Sequence, residues 1–155
     1  MAVPKDDLLT KVSTEGATDF VQSYHSALST NKKSIASFYS ATPTNILFNG
    51  NVIADGAAVE EIFTNQLPSA RYDINSFDSQ IINKAYPTTT PGNNATANAK
   101  NVSMLVVVSG SVQYGAKDSQ QHGFSETFVL IPNVESKEKN KKDWIIQSQN
   151  FRLVA

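Results

Sequence analysis

Three side chains in this sequence carry the chemistry for moving protons: His25, His122 and Glu126. An imidazole or a carboxyl does general acid–base work when it is held against its target with a suitably tuned pKa. His25 lies within an apolar helical pattern and reads as a helix-surface or hydrogen-bonded core residue. His122 opens a strand and reads as a loop-edge residue. Glu126 is more suggestive, because alternation sets it on one face with Phe124, Phe128 and Leu130. A carboxyl among aromatics is an acid of raised pKa, a sheet-edge charge, or the partner of a basic side chain. One acid without a second group does not make a reaction. Two histidines without a third ligand at suitable spacing make no metal site. Zero cysteines remove disulfides, thiol catalysis and cysteine-ligated zinc. The expectation is a protein with no catalytic residue, no cofactor and no metal.

A second kind of chemistry, pairing, is written into the run 102–114. Val102, Met104, Val106, Val108, Gly110 and Val112 alternate with Ser103, Leu105, Val107, Ser109, Ser111 and Gln113. Period two over this length predicts a long strand with one face in a core. The other face is half apolar and uncharged, where a solvent-washed sheet usually shows Lys and Glu. That face reads as an interface. Its register is expected to include Leu105, Val107 and Ser109, flanked by Tyr72, Ile74, Ser125, Thr127 and Asn150.

The elements that hold these residues follow from periodicity and turn chemistry. Phe20, Val21, Tyr24, Ala27 and Leu28 recur at helical spacing, predicting a helix from about Thr14 to Leu28 with Thr14 or Thr18 as a cap. Lys32 to Tyr39 adds a helical turn or two. Thr44 to Phe48 is a short strand, turned by Asn49-Gly50-Asn51 into Val52-Ile53. Asp55-Gly56 precedes a helix over Ala57 to Gln66. Strands then follow over Arg71 to Ile82, Val102 to Tyr114, His122 to Ile131 and Trp144 to Leu153. Between the first two of these lies a Thr-, Asn-, Pro- and Gly-rich stretch, about 83–101, read as a long flexible loop.

At 155 residues and a formal charge of −1, the chain reads as one globular domain without broad attraction for nucleic acid. No run reaches the roughly 20 apolar residues of a membrane span. The reading expects a soluble, intracellular chain. Helices gathered on one face of an antiparallel sheet make the fold class α+β.

Several strings, in order, resemble the nuclear transport factor 2-like family. Phe20-Val21-Gln22-Ser23-Tyr24-His25 is similar to its first helix, and Gly56-Ala57-Ala58-Val59 to the entry of its third. Gly123-Phe124-Ser125-Glu126-Thr127-Phe128-Val129-Leu130 and Asn150-Phe151-Arg152-Leu153 are similar to its last two strands. The resemblance implies a cone-shaped fold in which a bent antiparallel sheet packs against three helices. With its long 83–101 loop, the chain looks most like the small partner subunits of fungal mRNA export receptors. That implies a non-catalytic subunit whose sheet face pairs with a homologous domain of the receptor's large subunit, and through it with nuclear pore repeat proteins. It implies work in the nucleus and at the nuclear pore, shuttling to the cytoplasm, and no membrane contact. It also implies that Arg152 crosses the interface to a carboxylate of the partner. Family alternatives are a homodimeric import factor for the GDP form of Ran and a small-molecule enzyme or carrier using the cone's interior. The Ran reading is weakened because the stretch 114–121 offers only Asp118 and one lysine. Lys137, Lys139, Lys141 and Lys142 form a run between the last two strands. Such a run is ordinarily a solvated turn, but it could touch RNA phosphates or pore proteins.

Overall fold

A computed structural model describes residues 5–84, 102–116, 119–133 and 143–154. Helix α1 spans Lys5–Thr30. It starts well before the expected Thr14, because the buried stripe of Phe20, Val21 and Tyr24 continues backward through Ala17, Ser13, Val12 and Leu9. Small and polar residues carry part of that stripe, so hydropathy alone hides it. Thr14 and Thr18 do not cap. Their hydroxyls donate to the carbonyls of Thr10 and Thr14, one turn back, at 2.9 and 2.8 Å.

A 3-10 helix follows over Lys32–Phe38, burying Ile35 and Phe38. Helix α2 spans Gly56–Glu61, capped by Asp55, whose carboxylate accepts from the Ala58 N–H at 2.9 Å. It runs on through a wider π turn, Ile62–Gln66, that buries Phe63.

The six strands are β1 (Asn45–Phe48), β2 (Asn51–Val52), β3 (Ala70–Asn83), β4 (Ser103–Tyr114), β5 (Gln121–Pro132) and β6 (Trp144–Leu153). They form one sheet in the order β2-β1-β6-β5-β4-β3. The expected α+β class holds, and four of the five ladders are antiparallel. The β1–β6 ladder is parallel, pairing Asn45 with Ser148 and Phe48 with Phe151, so the sheet is mixed. Asn49 and Gly50 turn β1 into β2 with both residues at positive φ (52 and 84°), the conformation that Asn-Gly favours in tight hairpins.

The face toward the helices is the core. Met104, Val106, Val108 and Val112 of β4, with Phe124, Phe128 and Leu130 of β5, pack under α1. The ladder between β3 and β4 slips between Ile74 and Ser76, a bulge at Asn75. Gly110 belongs to this irregularity. A Cβ there would lie 2.1 Å from the Asp73 carbonyl oxygen, so only glycine lets β3 come this close.

Candidate functional site: a closed polar core and an open sheet face

The titratable residues named above do meet, but inside the core. Alternation puts Glu126 on the inner face of β5, and α1 lowers His25 onto it. His25 Nε2 lies 3.0 Å from Glu126 Oε1, and both residues are buried. The other ring nitrogen, Nδ1, faces the Val21 carbonyl at 2.9 Å, so Nδ1 carries a hydrogen. One further proton is therefore shared between Nε2 and the carboxyl, and the pair is neutral as a unit.

Gln149 of β6 extends the network. Its Nε2 donates to Glu126 Oε2 at 2.7 Å and to the Tyr24 hydroxyl at 3.1 Å. Tyr24 and Tyr39 join hydroxyl to hydroxyl at 2.8 Å, and the Tyr39 hydroxyl donates to Gln149 Oε1. With Gln149 donating to Tyr24, the ring closes in one sense: Tyr24 donates to Tyr39, and Tyr39 to Gln149. Each member has a partner, as a buried polar group requires. Burial pushes the Tyr24 and Tyr39 hydroxyls well above the usual phenol range, with Tyr39 and Glu126 adding to the shift at Tyr24. Of the readings open for Glu126, the structure selects the partner of a basic side chain. His25 is the satisfied core residue. Neither is a sheet-edge or surface group. His122 is half-buried at the start of β5, outside this network.

The opposite face of the sheet holds most of the expected interface. Rows read from the ladders run Gln80–Leu105–Val129–Ser148, Asp78–Val107–Thr127–Asn150 and Ser76–Ser109–Ser125–Arg152. Val107 is 40% exposed, an uncommon state for a central-strand valine, and Asn150 and Arg152 are exposed. The Ser76 and Ser109 hydroxyls lie 2.8 Å apart. The middle of the face is uncharged, while β3 adds a charged rim with Asp73 and Asp78.

Tyr72 and Ile74 do not belong to this face. They pair with Val112 and Gly110 and pack against the core, where Tyr72 lies edge-on to His25 and Phe124 with centroids 5.6 and 5.9 Å away. The Asn75 bulge inverts the parity of β3, so Ser76, Asp78 and Gln80 take the outward places instead. The Tyr72 hydroxyl is buried beside that of Tyr114 but makes no well-formed hydrogen bond among the described residues, and burial drives its pKa far upward.

Arg152 stands where the row of small serines ends, beside the Asn49-Gly50 turn. Among the described residues no carboxylate lies within ion-pair distance of it; the His25–Glu126 pair is the one ion pair there. Lys137, Lys139, Lys141 and Lys142 lie outside the described residues, as does most of the 83–101 loop. Sequence reasoning missed Gln149 as a partner of Glu126, and Tyr24 and Tyr39 as partners of Gln149. The available signal was a Gln on the inward register of β6, a polar residue where the core demands a satisfied one.

A mixed, strongly curved sheet closed on one face by α1, the 3-10 helix and α2 is the cone of nuclear transport factor 2. The chain belongs to the nuclear transport factor 2 (NTF2) domain family, whose sequence model matches residues 16–153. Its structure resembles a chain of the Chaetomium thermophilum Mex67 NTF2-like domain complexed with Mtr2. That match has a TM-score of 0.78 and 25% identity, covering 92% of this chain and 98% of that one. A structure of Mtr2 matches with a TM-score of 0.76 and 25% identity, covering 90% of this chain and 98% of that one. A putative dehydratase of the NTF2-like family from Streptomyces avermitilis shares the fold at 10% identity, with a TM-score of 0.65 over 94% of this chain and 97% of that one. A search of curated proteins finds no match.

Proposed function

We propose that this chain is the non-catalytic partner subunit of an mRNA export receptor. It pairs through its outward sheet face with an NTF2-like domain of a larger subunit. The observation that carries this reading is the row Asp78–Val107–Thr127–Asn150, in which an exposed central-strand valine sits among small uncharged side chains inside a charged rim. An apolar centre with a polar rim is the anatomy of a protein–protein interface. The likeness to Mtr2 and to a Mex67–Mtr2 complex supports a heterologous partner over a second copy. Arg152, exposed and with no carboxylate within ion-pair distance among the described residues, is offered to one on the partner.

The same reading assigns no catalysis. The acid and the imidazole that a cone enzyme would use are buried and committed to each other and to Gln149. Pore-repeat binding through the heterodimer, contact of the Lys137–Lys142 run with RNA, and residence at the nuclear pore belong to this proposal.

The experiment is the mass of the purified chain in solution, alone and mixed with the NTF2-like domain of an export receptor. A tight one-to-one complex is the expected result. A homodimer indifferent to that domain would replace this reading with a self-paired import factor. A monomer that ignores the domain would overturn pairing altogether.

A further inference from the structure

On the helix side of the molecule, away from the outward face, a groove of about 340 Å³ runs between α1, the 3-10 helix and the start of β6. Its floor is aromatic: Phe20, Phe38 and Trp144, all buried. Its rim is acidic: Glu15 and Asp19, one turn apart on α1 and exposed, with Asp143 across from them. Glu15 and Asp19 have no cation within ion-pair distance among the described residues. Like charges at this spacing oppose the helix that carries them.

The floor offers a donor as well. The Trp144 indole rests on α1 at Gly16, where an added Cβ would lie 2.6 Å from Nε1, so any larger residue would displace the ring. Trp144 is 6% exposed, and no acceptor among the described residues lies within hydrogen-bond reach of its Nε1. The indole N–H is not itself shut off from solvent, so water or a bound carbonyl can accept from it.

These features specify an occupant. The rim asks for a cation, the floor for apolar or guanidinium surface stacked on aromatics, and the indole N–H for a carbonyl. The acidic rim repels nucleic acid. The carboxylates do not gather into a metal-binding cluster among the described residues. We infer that this groove docks a short basic peptide segment of a partner protein, with an arginine or lysine against Glu15 and Asp19 and a main-chain carbonyl on Trp144. The groove and the outward face lie on opposite sides of the sheet, so both can be occupied at once. The inference does not depend on the pairing described above.

The chain contains one tryptophan, and it forms the floor of this groove, so its emission reports occupancy directly. The test titrates the full chain with a synthetic arginine–leucine peptide and with its glutamate–leucine counterpart. Expected is a saturable change in Trp144 emission with the arginine peptide, weakened by salt and absent with the acidic one. The doubly neutralised variant Glu15→Gln/Asp19→Asn, whose changes are both on the exposed face of α1, keeps the far-UV spectrum and binds about tenfold more weakly. An emission unmoved by the arginine peptide overturns the inference. So does an equal response from the neutralised variant, or from the acidic peptide.

Discussion

Glu126 and His25, 101 residues apart in sequence, share one proton across 3.0 Å in the middle of the cone. Because the His25 Nδ1–H donates to the Val21 carbonyl, Nε2 is the nitrogen that faces the carboxyl. Gln149 fixes the other carboxyl oxygen from β6. Helix α1, β5 and β6 are thereby tied at a single point.

Two substitutions at Glu126 separate the polar network from simple volume. Glu126→Ala leaves His25 Nε2 buried without a partner, takes one of the two acceptors from Gln149 Nε2, and is expected to cost about 3 kcal/mol. Glu126→Gln offers an amide N–H to a neutral His25 and a carbonyl to Gln149, so its cost is expected near 1 kcal/mol. Urea unfolding of the two variants measures the difference. Equal losses would mean that the network contributes through packing alone.

The buried tyrosines set an alkaline limit. Tyr24, Tyr39 and Tyr72 all have folded-state pKa values raised above the unfolded value of about 10, chiefly by burial. Below that pH both states hold their phenolic protons and stability is level. Above it the unfolded chain releases protons that the folded chain keeps. Stability then falls by about 1.4 kcal/mol per pH unit for each suppressed tyrosine. Phenolate absorbance is expected to rise together with loss of ellipticity, rather than before it. Early titration of these rings in folded protein would show that they reach solvent.

Tyr72→Phe tests the Tyr72 hydroxyl, which meets that of Tyr114 without a well-formed hydrogen bond. Removing it deletes a desolvated polar atom and leaves the ring contacts with His25 and Phe124 in place. The variant is expected to be as stable as the parent or more stable by up to about 1 kcal/mol. A loss beyond that would reveal a working hydrogen bond at this hydroxyl.

Association is tested on the outward face. Val107→Lys would bury an unpaired ammonium in a pairing interface, and Arg152→Glu would reverse the charge offered to a partner carboxylate. Both side chains are exposed in the isolated chain, so its unfolding free energy is expected to change by less than about 0.5 kcal/mol. Loss of about 2–5 kcal/mol in binding to an NTF2-like partner domain is expected for Arg152→Glu. Unchanged co-purification of both variants would remove this face as the interface.

The strands were legible because alternation is a local signal. Val102 to Val112 declares its two faces without reference to anything distant, and the outward set Leu105, Val107 and Ser109 follows from it. Alternation fails where a bulge intervenes. Nothing in the letters Ile74-Asn75-Ser76 announces the extra residue that sends Tyr72 inward and Asp78 outward. The glycine it needs, Gly110, is on another strand. Nor could periodicity join Glu126 to His25, since that contact depends on where α1 crosses β5. The long reach of α1 toward Lys5 was concealed for a different reason: Ser13, Gly16 and Ala17 fit under Trp144 and Met104 by being small.

The sheet order has a temporal consequence. The strand made last, β6, is the one that lies between β1 and β5, so the β1–β2 hairpin has no neighbour until residues 144–153 have been synthesised. Gln149, which closes the ring with the Tyr24 and Tyr39 hydroxyls and also holds the Glu126 carboxyl, belongs to that same strand. Without β6, the edges of β1 and β5 that it joins have no partner strand. Placed between β1 and β5, β6 is a keystone: it alone joins the β1–β2 hairpin to the three-stranded piece β5-β4-β3.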